Sequence, residues 1–296
     1  MNILVTGSTG FIGSALVPFL TKEGHGVTRL VRTQPMSESR QVRWDPAAGT
    51  IDAAGVVGTE AVVHLAAESI AAGRWTAKQR ARIRDSRVMG TRLLVETLVG
   101  LDPAPKVLAC ASSDVYYGDR GDEILREDSP AGSNFLAEVT REWEAETRPL
   151  AEKGIRVVNL RFGMVIGPPV AKMLTRFKLG FGSRLGSGKQ YISWVTLDDA
   201  IRAIHHALTT ENLEGPLNVV APGPVTNGEF SKTLNRVLSR RALFPVPALA
   251  LRVFQGEMAD IELVSLRMES RKLVASGFDF LYPEVEGALR AVLGKP

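Results

Sequence analysis

Short apolar runs and longer amphipathic stretches alternate along the chain, and their order predicts the fold. Residues 1–5 (MNILV) are apolar, too short for a helix and bounded by glycine, so they read as a buried strand. Gly7-Ser8-Thr9-Gly10-Phe11-Ile12-Gly13 follows, then an amphipathic stretch from about Ser14 to Glu23, stopped by Gly24. Val27–Val31 is the next apolar run. Strand, glycine turn, helix and strand form a βαβ unit of the dinucleotide-binding type. The alternation continues with strands at 41–44, 61–65, 107–113 and 155–162. A helix capped by Thr76 runs to about Val99, and another spans about 134–152. The expected class is α/β, a Rossmann-type doubly wound parallel sheet.

The later pattern is different. A helix at about 171–181 leads into a glycine-rich polar loop, 182–190. Leu217–Val220 reads as a late strand and Thr226–Leu238 as a helix capped by Thr226 or Asn227. The stretch 245–293 is helical and amphipathic with proline-bounded edges. The expected organisation is a dinucleotide-binding domain over 1–166, completed by about 191–221. Residues 167–190 and 222–296 then form a smaller, mostly helical C-terminal subdomain on the substrate side.

The glycines have distinct physical tasks. Gly7 permits the tight turn, Gly10 lets backbone N–H groups approach a pyrophosphate, and Gly13 permits close helix packing. The phosphates then lie at a helix N-terminus, where unpaired N–H groups and the helix dipole favour negative charge. Candidate cofactor contacts in this turn are Gly7, Thr9, Gly10, Phe11, Ile12 and Gly13. The second strand ends Thr28-Arg29-Leu30-Val31-Arg32, with no acid for a ribose 2′-hydroxyl. Arg32 offers a fork of donors suited to a 2′-phosphate, which predicts NADP(H) over NAD. Leu65 ends the fourth strand at the ligand edge, and Ala66 and Ala67 after it are small enough to let the cofactor pass close to the backbone; all three are candidate cofactor contacts.

Composition narrows the setting. The chain has 296 residues, 45% of them hydrophobic, and one cysteine. Cys110 lies in an apolar strand and is expected to be inert, which excludes an intrachain disulfide and a cysteine metal site; no metal is predicted. No apolar run of membrane-spanning length occurs and residue 1 already opens a strand, so no membrane partner and no signal peptide are expected, and a reducing cytoplasm is the natural setting. The net charge is +4. Its densest basic stretch, Arg74 to Arg92, is spread around a helix with acids and, beyond Trp75 at its start, without interleaved aromatics, which argues against nucleic acid. His64, inside a strand, is expected to be a satisfied core histidine.

Gly-x-x-Gly-Phe-Ile-Gly resembles the turn of the extended short-chain dehydrogenase/reductase family, which includes the nucleotide-sugar epimerases. That resemblance makes Asp45 a candidate adenine contact, runs the segment Gly163–Pro168 alongside the nicotinamide, and makes Arg161 a structural or a cofactor-facing cation. It makes Ser113, or Ser112 one residue earlier, the serine that orients substrate. The family's Tyr-x-x-x-Lys pair should follow, with the lysine tuning the tyrosine for proton transfer. Phe135 occupies the tyrosine position and Val139 the lysine position, so the pair is absent. Arg87 stands where relatives carry Asn.

These departures, with Tyr116-Tyr117-Gly118-Asp119, Pro245-Val246-Pro247, Gly256-Glu257-Met258 and Ser276-Gly277-Phe278-Asp279-Phe280, narrow the likeness. The whole chain resembles an atypical epimerase-like subfamily, some members of which are called cell-division inhibitors, with a C-terminal segment of unassigned function. Candidate replacements for the missing acid/base are Tyr116, Tyr117, Asp114 and Glu138. Gly186, Gln190 and Trp194 are candidate substrate-side residues. Asp198 and Asp199 start a helix by complementing its dipole. Two functions remain open: an NADP(H)-dependent reductase or epimerase-like enzyme on a small polar substrate, and a catalytically silent NADP(H)-binding regulator. The helices at 76–99 and 134–152 are those through which many extended relatives dimerise, so a monomer or a homodimer is expected.

Overall fold

The computed structural model describes residues 1–36, 40–167, 183–240 and 244–295. The helix expected at about 171–181 and the first residue of the following loop lie outside them.

The N-terminal half runs β1 (Asn2–Thr6), α1 (Phe11–Lys22), β2 (Gly26–Val31), β3 (Gln41–Asp45), β4 (Thr50–Ile51), β5 (Ala61–His64) and α2 (Ala77–Val99). It continues through β6 (Val107–Ser113), β7 (Ile124–Leu125), α3 (Phe135–Ala145), α4 (Arg148–Glu152), β8 (Arg156–Phe162) and β9 (Met164–Ile166). After the described gap come β10 (Tyr191–Ile192), β11 (Trp194–Thr196), α5 (Leu197–Thr209), β12 (Gly215–Val219), β13 (Val225–Thr226) and α6 (Asn227–Val237). The chain ends with α7 (Ala248–Gln255), α8 (Ala259–Leu263), β14 (Arg267–Met268), α9 (Arg271–Ala275) and α10 (Val285–Val292).

One eight-stranded sheet has the order β12-β8-β6-β5-β1-β2-β3-β4, parallel except for the short β3–β4 pair. Strand order reverses between β1 and β5, the position where open α/β sheets bind ligands beyond their carboxyl ends. The strands are continuous apolar runs because both faces are covered. Ile3 and Val5 point to the layer containing α1 and α5, with Leu16, Leu20, Ala203 and Ile204. Leu4, between them, points to the opposite layer with Leu94, Leu98, Leu108 and Trp143, as the two-residue strand period requires. Thr76 caps α2 by accepting from the Gln79 N–H, and Thr226 and Glu229 form a reciprocal capping box at α6.

The C-terminal part is tied to this sheet. Asp199 is fully buried near the start of α5, where it pairs with Arg202 and accepts the backbone N–H groups of Leu281 and Tyr282. Helices α6 and α10 share a core of Phe230, Leu234, Ala288 and Leu289 with Trp194. Among the described residues no helix is long and apolar enough to cross a membrane.

Candidate active site

The β1–α1 turn is built as the glycines require. Gly7 has φ +66°, and a Cβ there would meet the backbone of Leu65 at 2.7 Å and Ala66 at 2.8 Å. A Cβ on Gly13 would sit 2.2 Å from the Gly7 carbonyl oxygen. The turn thus packs directly on the exit of β5, where Ala66 and Ala67 are small. Gly10 is the N-cap of α1 and supplies no side-chain cap, so first-turn N–H groups are left for a ligand anion. This cradle fits a dinucleotide pyrophosphate. Arg32 is exposed immediately after β2, and no described residue hydrogen-bonds or ion-pairs with its guanidinium. Asp45 uses Oδ1 to accept the N–H groups of Ala47 and Ala48 within its own turn.

A buried chain of polar groups fixes the β5 exit. Thr6 Oγ1 accepts the N–H groups of Leu65 and Ala66, each at 3.1 Å, so its own proton goes to His64 Nδ1 at 2.7 Å. The Nε2–H of His64 must then donate to Thr91 Oγ1 at 2.9 Å, which also accepts the Trp143 indole N–H. Full burial pushes the His64 pKa down to about 4, so the ring is neutral. The expectation of a satisfied core histidine is met. The loop after β5 is held further by Ser86 Oγ, which accepts the Glu68 N–H, and by Arg87, which donates to the Glu68 and Ile83 carbonyls. Arg87 lies 5.2 Å from the Trp143 ring centroid, and burial lowers its pKa to about 10. It clamps the loop after β5 onto α2.

Several expected ligand residues turn out to be structural. Arg161 is buried, forks onto both Glu144 carboxylate oxygens at 2.8 Å, and donates to the Tyr117 hydroxyl and the Glu127 carbonyl. Its guanidinium is committed to protein partners on three sides. Ser112 donates to the same Glu144, so its hydroxyl is taken. Tyr117 is fully buried, its hydroxyl donates to Asn218 Oδ1 and accepts from Arg161, and burial pushes its pKa up to about 12, so the hydroxyl is engaged within the core. Trp194 is fully buried with its indole N–H on the Gly223 carbonyl. Gln190 is a strut, donating to the Leu185 and Glu262 carbonyls. Gly186 is a left-handed turn residue (φ +55°) packed by Leu263 and Ala248. Glu138 lies on the solvent side of α3.

Ser113 and Asp114 remain at the carboxyl end of β6. The Ser113 hydroxyl donates to Asp114 Oδ1 at 3.0 Å, and desolvation pushes the Asp114 carboxyl up to about 6. A cavity of about 500 Å³ opens at the turn that follows them; Val115, next in sequence to Asp114, lines it, and Ser113 and Asp114 do not. Val115 and Gly118 line it from the turn after β6, Asn134, Phe135 and Leu136 from the start of α3, and Ile261 and Val264 from the C-terminal cover. Phe135, which the resemblance places at the tyrosine position, forms part of the cavity wall. Trp75 packs edge-on to Phe135, and Arg80 sits 5.0 Å from its ring centroid while pairing with Glu257. Sequence reasoning missed the contribution of Trp75, Asn134, Arg252, Glu257, Asp260 and Ile261 to this cavity. The one available signal was Arg74-Trp75-Thr76, whose aromatic residue interrupts a polar stretch.

Residues 3–220 match the NAD dependent epimerase/dehydratase family, and residues 246–292 match a domain of unknown function, DUF1731. The chain belongs to the NAD-dependent epimerase/dehydratase family. Epimerase family protein SDR39U1 of Homo sapiens is 34% identical over 300 residues, which cover 99% of this chain and all of the human protein. Epimerase family protein MT2273 of Mycobacterium tuberculosis is 37% identical over 298 residues, covering 99% of this chain and 98% of that protein. The crystal structure of human SDR39U1 (isoform 2) with NADPH superposes with a TM-score of 0.91 at 32% identity, over 99% of both chains. The epimerase-like resemblance, including the separate C-terminal segment, is borne out.

Proposed function

We propose that the chain is an NADP(H)-dependent, epimerase-like oxidoreductase that acts on a small polar carbonyl or sugar-like substrate, with Asp114 supplying the proton in place of the missing tyrosine. The cavity at Phe135 carries this reading, because it opens between the turn after β6, the start of α3 and the C-terminal cover. Arg32 and the uncapped N-terminus of α1 support NADP(H), as does the NADPH bound to the human relative.

Bound NADPH would supply a hydride to the carbonyl carbon, and the oxygen must then receive a proton. Of the four candidate groups, Tyr117 is buried, Glu138 faces solvent, and the Tyr116 ring lies over Arg161 at 3.5 Å. Asp114 alone combines position at the ligand edge with a carboxyl that keeps its proton near pH 6. Ser113 holds that carboxyl by donating to Oδ1 and orients its other oxygen.

The test is an NADPH fluorescence titration followed by oxidation of the bound cofactor with a carbonyl panel, using wild type and Asp114→Asn. Turnover should fall with rising pH above about 6, and the variant should lose about 10²–10⁴-fold in kcat with NADPH affinity unchanged. An Asp114→Asn enzyme as fast as wild type would remove the proposed acid. A second reading, a cofactor-binding regulator, is favoured by Phe135 and Val139, neither of which moves a proton. NADPH binding without oxidation across the panel would select it.

A further inference from the structure

A second cavity, of about 840 Å³, lies on the α3/α4 side of the sheet, beside β8 and the edge strand β12. It shares α3 with the first, but Arg141 and Glu144, toward the other end of the helix, line it. Those positions are about 9–14 Å along the axis from Phe135 at 1.5 Å per residue.

Its floor contains an unpaired polar group. Asn159 is 8% exposed, and its Nδ2 donates to Thr147 Oγ1 at 3.3 Å. The Thr147 hydroxyl already donates its proton to the Glu144 carbonyl, so Oγ1 can only accept and the Asn159 amide cannot be flipped. Asn159 Oδ1 is therefore a buried acceptor with no partner among the described residues. Such a group is costly unless something donates to it.

The rim is cationic. Arg141 and Arg148 are exposed with no ion-pair or hydrogen-bond partner among the described residues. Lys272 Nζ is anchored on the Glu214 and Pro216 carbonyls, which leaves one donor direction unused. The acids present are Glu144, neutralised by Arg161, and Glu214. Tyr116 adds a hydroxyl at the wall that no described residue engages. We infer that this cavity is a second ligand site, for a small hydroxylated phosphate ester. Arg141, Arg148 and Lys272 take the phosphate, and a ligand hydroxyl donates to Asn159 Oδ1. Guanidinium forks match phosphate geometry, and an acceptor at the floor selects a ligand that carries a donor.

The site is tested on the full chain saturated with NADPH, so that the cofactor cleft is filled, by calorimetric titration with glycerol 3-phosphate, n-propyl phosphate and inorganic phosphate. Glycerol 3-phosphate should bind about 3–10-fold tighter than propyl phosphate, the effect of one hydrogen bond to a buried acceptor. Arg141→Ala/Arg148→Ala, which changes only exposed side chains, should weaken both esters at least about 10-fold without moving NADPH affinity. Asn159→Leu should erase the preference between the esters. Equal affinities for the two esters in wild type, unchanged binding by the arginine variant, tighter binding of inorganic phosphate than of either ester, or no saturable binding would each overturn the assignment.

Discussion

At the scale of single residues, the sharpest consequences come from groups whose charge the fold controls. His64 takes up its proton near pH 4 in the folded chain and near its ordinary 6.5 when unfolded. As pH falls through that window the unfolded chain binds the proton first. Stability that is complete above pH 6.5 is then lost on the way to pH 4, by about 3 kcal/mol. Urea unfolding midpoints at pH 7 and pH 4.5 would show this, and the slope should shrink in His64→Gln; a flat wild-type profile would contradict the neutral, doubly bonded ring. Arg32 makes the opposite kind of claim, since no described residue pairs with its guanidinium. Arg32→Ala should weaken NADPH by about 10–100-fold and NADH by less than about 2-fold, the difference being charge-assisted bonds to one phosphate. Parallel fluorescence titrations with both cofactors decide it, and equal losses would detach Arg32 from the 2′-phosphate.

At the scale of elements, α1 is held at its start by contact rather than by a cap, so it is sensitive to one methyl group. Gly13→Ala would place Cβ within 2.2 Å of the Gly7 carbonyl oxygen. We expect about 1–3 kcal/mol of destabilisation and at least a 10-fold loss of NADPH affinity, read by thermal unfolding and titration. This unit was legible in the sequence because all its constraints are local: a strand, three glycines and a helix within 25 residues. The caps at Thr76 and Thr226 were legible for the same reason. Arg161, Tyr117 and Gln190 were not, because their partners are distant in sequence. Tyr117 meets Asn218 across 101 positions, and Gln190 meets Glu262 across 72. Nothing local distinguishes an arginine that forks onto a buried Glu144 from one that faces a cofactor. Composition was similarly silent about α2, where Arg82, Arg84 and Arg92 prove to be paired with Glu68, Glu142 and Glu146.

At the scale of the molecule, the C-terminal segment covers the first cavity, and the way it is fastened sets how that cavity opens. Helix α7 ends over the site with last-turn carbonyls that lack partners within the helix. Arg74, just before α2, donates to two of them, those of Val253 and Phe254, each at 3.3 Å. Arg80, one turn into α2, pairs with Glu257 immediately after α7. Both arginines are at least partly exposed, so each contact contributes only about 0–1 kcal/mol, and on the α2 side the cover is fastened weakly, while Gln190 and the cluster of Leu185, Leu251 and Ala259 hold its other side. That difference separates opening from unfolding. Arg74→Ala/Arg80→Ala should therefore leave the unfolding midpoint within about 2 °C and NADPH affinity unchanged, while speeding limited proteolysis between residues 244 and 263 several-fold. If the proteolytic rate and the global stability instead fall together, the cover is part of the cooperative core, and access to the wall at Phe135 must come from another edge of the cavity.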